Sequence, residues 1–304
     1  MITESFNLNI QSVDDLCIIL DISKNELCGI ARNIKKCYRL GTIKKKNGGE
    51  RIICEPLPCL KKTQEKILKN MLNQIPLLPC VHAYRKKHSP LTNAQEHVGN
   101  KYLAKLDIKD FFPSIHFTKV QKLFDQIGCS SEVSEILRII TTYQFCLPQG
   151  APTSPYIANL VFYVTDKILM KKCEEMNLVY TRYSDDIDIS GNIDFSSSLD
   201  FFIKIVENGG FRISKKKLQF LGPEKRKIVT GSIINEKLNI PKEQARKLRA
   251  IIHNCIIYGA SSQNHGNKSN FREHLYGRVN HIRSINPTRG DQLLQMLNRV
   301  DWNA

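Results

Sequence analysis

Two short β-prone stretches, 179–182 and 187–190, flank the tetrapeptide YSDD at 183–186. With so little chain between them they read as a tight hairpin. Its tip presents two adjacent carboxylates, Asp185 and Asp186. A third, Asp107, ends the mostly apolar run 101–108, which fits a buried strand. A carboxylate at the end of a buried strand is costly unless something positive meets it, and adjacent carboxylates repel each other. Taken singly, Asp-Asp in a turn is most often a solvated turn former, and Asp107 could simply end its strand. A pair of Mg²⁺ ions would resolve both charge problems. Mg²⁺ takes few protein carboxylates and completes its shell with water and phosphate. Two such ions serve in-line phosphoryl displacement.

The remaining pattern is mixed, then helical. SKNE at 23–26 is a capping box opening a helix to about residue 36. Arms at 39–43 and 51–54 flank a Lys-rich turn with Gly48 and Gly49, a hairpin with a basic tip. Leu60, Ile67, Leu68, Met71, Leu72 and Ile75 recur at helical spacing. TKVQ at 118–121 resembles a second capping box, with Gly128 as the stop. Helices are expected at 156–177 and 197–207, and strands at 219–221, 228–234 and 237–240. Pro241 suits the first residue of a helix with Leu248, Ile251, Ile252, Cys255 and Ile256 inside and Lys242, Arg246, Lys247 and Arg249 outside. Further helical patterns cover 271–285 and 292–300. These elements imply an α+β central domain and a helical end, with a boundary near 240.

Charge narrows the partners. Lys and Arg number 45 against 29 Asp and Glu, a net +16. Such an excess points to a polyanion, nucleic acid first, although a merely soluble basic protein stays open. No basic amphipathic anchor and no apolar run of about 18 residues suggests a membrane. The ten cysteines form no CxxC pair and no Cys/His zinc spacing, so they read as reduced thiols. MITESFNLNIQ is no secretory signal, and the expected location is the cytoplasm.

DIKDFFPSI (107–115), LPQGAPTSP (147–155) and YSDD, in this order and spacing, resemble the motifs of reverse transcriptases. The resemblance implies a right-hand polymerase fold: a helical extension at 1–37, fingers at 38–100, a palm at 101–240 with a fingers insertion about 116–150, and a small RNA-binding helical thumb at 241–304. It implies that Asp107, Asp185 and Asp186 are the catalytic, metal-binding carboxylates. It makes Phe112 the steric gate under the sugar, a residue otherwise most simply core. Gln149 and Gly150 would line the nucleotide pocket, Arg51 and Lys46 would grip the triphosphate, and Arg85 would lie near the template. Asp110 and Asp188 are read as supporting residues.

NAQEH (93–97) is similar to the NAxxH signature of retron enzymes, and Val229, Thr230 and Gly231 to their VTG triplet. Asn93, His97 and the triplet are therefore expected on the RNA side, with Arg246, Lys247 and Arg249. Arg272, Arg278 and Arg283 extend that basic surface, and Tyr258 and Tyr276 are candidate stacking groups. Ser184 stands where retron enzymes more often carry Ala. The resemblance implies an enzyme that uses dNTPs and two Mg²⁺ ions, with Mn²⁺ an alternative. It would copy its cognate structured non-coding RNA from an internal guanosine 2′-hydroxyl, giving branched multicopy single-stranded DNA. It further implies an accessory or effector protein, antiphage defence, and a host RNase H to remove RNA. Alternatives are a reverse transcriptase of diversity-generating, intron-related or phage-exclusion type, or a non-catalytic RNA-binding protein on a polymerase fold. The intact acidic trio argues against the last.

Overall fold

A computed structural model describes residues 7–44 and 48–302. Ser12 caps α1 (Val13–Leu20), accepting from the Asp15 N–H while the Asp15 carboxylate accepts from the Ser12 N–H. Ser23 caps α2 (Lys24–Arg32), which ends short of the expected 36 because the chain tightens into a 3-10 turn (Ile34–Cys37). β1 (Tyr38–Lys44) and β2 (Glu50–Pro56) pair antiparallel, from Tyr38↔Pro56 to Lys44↔Glu50. The hairpin tip at 45–47, including Lys46, lies outside the described residues. Helices α3 (Pro58–Asn70) and α4 (Pro90–Gln95) each start on proline, where a missing N–H costs nothing.

The apolar strand β3 (Tyr102–Asp107) leads into a single helical turn, α5 (Phe111–Ser114). Next comes α6 (Phe117–Gln126), which starts ahead of the expected Thr118 box with His116 at the cap. The Thr118 hydroxyl instead lies 2.9 Å from His116 Nδ1, so it caps nothing. Ser130 caps α7 (Ser131–Thr141), accepting from the Val133 N–H. The long α8 (Ser154–Glu175) is followed by β4 (Val179–Tyr183) and β5 (Asp186–Gly191), then α9 (Leu199–Asn208) and β6 (Gln219–Leu221).

The strand expected at 228–234 is a small hairpin, β7 (Ile228–Val229) and β8 (Ser232–Ile233). Thr230 and Gly231 both take positive φ, 44° and 87°, the two-residue turn that reverses a twisted strand. The stretch expected as a strand at 237–240 reduces to one bridge between Asn239 and Ile233. The chain ends in α10 (Lys242–Tyr258), α11 (Phe271–Ile285) and α12 (Pro287–Leu297). The last starts earlier than 292 because Asn286 caps it through the Arg289 N–H.

Two compact units emerge, and neither breaks at 240. The first comprises the chain to Lys86, Ala104–Ile189 and Phe195–Phe220. Its four-stranded sheet has the order β4-β5-β3-β6, with α8 packed on β4 and α9. Phe111, Phe162 and Phe211 form an aromatic cluster with centroids 4.8–5.8 Å apart. In the same unit α1, α2 and α3 pack on α7, and α7 on α6.

The second unit comprises Lys87–Leu103, Ser190–Asp194 and the chain from Leu221. Leu248, Ile252, Leu275, Val279, Leu293 and Leu297 build the core of its three helices. Gly290 is required where α12 meets α11: a Cβ there would lie 2.3 Å from the Arg283 Cα. Among the described residues no helix is long and apolar enough to cross a membrane.

Candidate active site

Leu103, Ala104 and Leu106 bury β3 and carry Asp107 to its end, where its side chain is almost enclosed. β4 and β5 are joined by the two-residue turn Ser184-Asp185. The Ile108 N–H donates to the Asp185 carbonyl at 2.8 Å, which seats the turn beside the end of β3. Asp107 and the Asp185-Asp186 pair, far apart in sequence, are thereby brought together.

The charges there are only partly balanced. The Lys217 ammonium donates to Asp107 Oδ2 at 2.5 Å, and that bond raises the Lys217 pKa above its ordinary value. Lys105 donates to the buried Asp188 at 3.0 Å. Asp186 is open to solvent on one side and enclosed by protein on the others. That enclosure, then repulsion from Asp185, Asp188 and Asp107 against the pull of Lys105, pushes its carboxyl up to about 6. The cluster therefore favours an added positive charge near neutral pH. Among the described residues no group of three His, Cys, Asp or Glu side chains is gathered closely enough to hold a metal ion. Oxygen donors that leave room for water and phosphate suit Mg²⁺ or Mn²⁺, so the residues fit such ions. Asp110 is exposed, at φ 48° before α5, and caps nothing with its side chain.

The nucleotide-side candidates fall around this turn and β2. Phe112, half-buried on α5, packs at 5.8 Å from Phe111 and edge-on at 6.5 Å from Tyr84. Tyr84, which the sequence reading passed over, is half-exposed, and its hydroxyl lies 3.3 Å from Ser184 Oγ. The Gln149 carbonyl accepts from the Cys54 N–H at 2.7 Å. Gly150 takes φ 116°, and a Cβ there would come 3.0 Å from the Cys54 carbonyl oxygen. Gln149 and Gly150 are thus laced to β2, the strand on which Arg51 stands exposed. Arg85 is folded back, with Nη1 donating to the Leu78 carbonyl at 2.9 Å.

The two short signatures meet within the second unit. Asn93 and His97 are fully buried, and His97 Nδ1 lies 2.6 Å from Ser190 Oγ. The Thr230 hydroxyl donates to the Pro90 carbonyl, 140 residues away, so the VTG turn sits on the start of α4. Both signatures therefore shape one scaffold, and Asn93 and His97 reach no solvent.

Arg246 and Arg249 of α10, with Lys242, Arg289 and Arg299, line a groove of about 800 Å³ between α10 and α12. Among the described residues no carboxylate lines it. Lys247 is not among its lining residues. Arg278 lines a second groove of about 410 Å³, with His274 and His281. Arg283 is paired with Asp291 at 2.7 Å. Arg272 lies over the Tyr276 and Trp302 rings, and Tyr258 stands exposed.

The family model described as "Reverse transcriptase (RNA-dependent DNA polymerase)" matches residues 43–234. The chain is 32% identical to the retron Ec86 reverse transcriptase of Escherichia coli, over 87% of this chain and 81% of that one. It is 35% identical to the retron Ec73 reverse transcriptase of the same organism, over 71% and 74%. In fold it is similar to telomerase from Candida albicans, with a TM-score of 0.53, 11% identity, and coverage of 85% of this chain and 56% of that one.

Proposed function

The chain belongs to the reverse transcriptases, within them to the retron enzymes, and from that premise we propose how its residues divide the work of RNA-directed DNA synthesis. The observation that carries the proposal is the seating of the Asp185-Asp186 turn beside Asp107. Asp107, Asp185 and Asp186 would hold two divalent ions, which when bound supply charge neutralisation at the reacting phosphate and lower the pKa of an attacking hydroxyl. Chemistry is attack of the primer oxygen on the α-phosphate of a dNTP, with the bond to pyrophosphate breaking. The protein's share is position and electrostatics. Phe112, braced by Phe111 and Tyr84, forms the floor under the sugar. Gln149 and Gly150, fixed to β2, form one wall of the nucleotide pocket, and Arg51 with Lys46 supplies positive charge for the triphosphate. Arg85 shapes its loop near the template through the Leu78 carbonyl.

Purified chain is expected to extend a DNA primer on an RNA template only when a divalent cation is present. Failure to incorporate any dNTP on such a template would overturn the assignment. Binding of the cation has its own signature. Mg²⁺ at ten times its dissociation constant adds roughly 1.4 kcal/mol to stability, a rise of a few °C in unfolding midpoint. Asp186→Asn removes one repelling charge, so the metal-free midpoint should rise and the Mg²⁺ response shrink. Scanning fluorimetry with and without Mg²⁺ checks this, and a midpoint indifferent to Mg²⁺ in the unsubstituted chain would contradict it.

The RNA is assigned to the basic groove of the second unit. Arg246, Arg249 and Arg289 would contact phosphates, while Asn93, His97 and Val229-Thr230-Gly231 hold the scaffold that presents them. Each lost phosphate contact lowers the slope of log affinity against log salt by about 0.7–0.9. Replacing these three arginines with Gln should therefore flatten the slope by about 2–3 units, measured on the full chain with a hairpin RNA. An unchanged slope would sink the groove assignment. In the cell we assign the chain its cognate non-coding RNA as template and an internal guanosine 2′-hydroxyl as primer. Branched single-stranded DNA is the product, host RNase H trims the hybrid, and an accessory protein links the product to antiphage defence.

A further inference from the structure

Arg182 is wholly buried, and so is its partner Asp166. A guanidinium out of water needs nearly every N–H satisfied. Its Nε donates to Asp166 Oδ1 and Oδ2 at 2.9 and 3.2 Å, and Nη2 to Asp166 Oδ2 at 2.6 Å. The Tyr180 hydroxyl donates to the same carboxylate at 2.6 Å. The Phe162 ring lies 4.8 Å from the guanidinium and the Phe111 ring 5.7 Å. Asp166 alone accounts for the charge, which leaves Nη1 available for other work. It donates to Asn159 Oδ1 at 3.0 Å and to the Ser184 carbonyl at 2.9 Å.

The second of those bonds lands on the turn that carries the acidic pair. Ser184 stands at φ 61°, the left-handed region that a non-glycine residue enters only when its surroundings hold it. The Ser184 carbonyl and the Asp185 N–H share one planar peptide unit, so fixing that oxygen fixes how the chain enters Asp185. The peptide on the far side of Asp185 is fixed as well, since its carbonyl accepts from the Ile108 N–H. Asp185 is thus gripped at both of its peptides, by Arg182 before it and Ile108 after it. The same guanidinium network reaches further: Asn159 Nδ2 donates to the Ala83 carbonyl at 3.0 Å. The Arg182 backbone pairs with Cys80 and His82. These bonds order the segment that brings Tyr84 to Ser184.

We propose that Arg182 is a positioning residue for DNA synthesis: with its charge neutralised by Asp166, its guanidinium clamps the Ser184 carbonyl and so sets the direction of Asp185 and Asp186. The proposal rests on the reading of those two carboxylates as the catalytic pair. It separates two jobs that one buried ion pair would otherwise blur, since the Asp166 contact serves the core and the Ser184 contact serves the turn.

Arg182→Lys keeps the charge opposite Asp166, but a single ammonium lacks the planar fork that reaches both partners. On folded protein, with an RNA template and DNA primer, kcat should fall at least about tenfold, as expected when reacting groups are misplaced. The KM for dNTP should stay within about twofold, and the Mg²⁺ concentration for half-maximal rate should rise several-fold. Adding Ser184→Gly, which tolerates positive φ without a clamp, should recover part of the lost kcat. A kcat that falls only with the folded fraction, or an unshifted Mg²⁺ requirement, would overturn the clamp and leave Arg182 a core residue. Should Arg182→Lys not fold, Arg182→Gln with Asp166→Asn removes the buried charge from both sides, and the same readouts decide. Asp185→Asn run in parallel separates the two readings. If it retains activity, both fall; if it is inactive while Arg182→Lys keeps full kcat and its Mg²⁺ requirement, only the clamp falls.

Discussion

Asp185→Asn lowers dNTP incorporation on an RNA template by at least about 10²–10³-fold, the loss expected when one element of a preorganised electrostatic site is removed. The turn itself should survive. Its two backbone anchors, the Ile108 N–H and the Arg182 guanidinium, do not involve the Asp185 side chain. Removing a carboxylate that repels Asp186 also relieves the metal-free protein. The expected signature is therefore lost activity with an unfolding midpoint equal to or above that of the unsubstituted chain. Parallel primer extension and thermal unfolding measure both. Retained incorporation, or loss of activity explained by unfolding, would count against the assignment of Asp185.

Asp166→Asn is expected to have the largest effect on stability. It leaves the Arg182 guanidinium buried and without its counter-charge, a change that costs about 3–5 kcal/mol. For a chain of this size that is a fall of roughly 6–20 °C in unfolding midpoint. The contrast is the exposed Lys172–Glu175 pair at 2.7 Å, where Glu175→Gln should leave the midpoint unchanged because water screens it. Thermal unfolding of both variants tests the difference. Equal midpoints for the two would show that burial of the Arg182–Asp166 pair does not matter.

Local rules in the sequence carried much of this architecture. The apolar run ending in Asp107, the Gly48-Gly49 hairpin and the helix after Pro241 rest on short-range patterns, and the chain obeys them. α11 spans the expected 271–285. Helix α1 escaped because its capping box closes on Asp15 instead of Glu or Gln. The stretch 228–234 looked extended because nothing in VTG announces that Thr230 will take positive φ alongside Gly231.

The acidic trio stood out because Asp107 ends an apolar strand and Asp185-Asp186 fill a tight turn, both inside motifs that resemble those of reverse transcriptases, and the fold seats that turn beside Asp107. Its supporting residues were not. Lys217 lies 110 residues from Asp107, and lysines are common on any basic chain. Arg182 sits two residues before Ser184, yet its role depends on Asp166 and Asn159 facing it from α8. The groove arginines divide in the same way: a helical wheel places Arg246, Lys247 and Arg249 together outside, but only packing against α12 separates the two arginines from Lys247.

The proposal that this chain makes DNA on its own RNA, using the carboxylates gathered at the turn, can be tested in cells. The most direct measurement is to express the chain with its flanking DNA, extract nucleic acid from the cells, and compare it with an Asp185→Asn/Asp186→Asn double variant. A discrete single-stranded DNA that resists RNase, shifts in mobility on debranching and is missing from the variant is the predicted result. The same DNA in both strains, or none in either, would rule out DNA synthesis on its own RNA by these carboxylates.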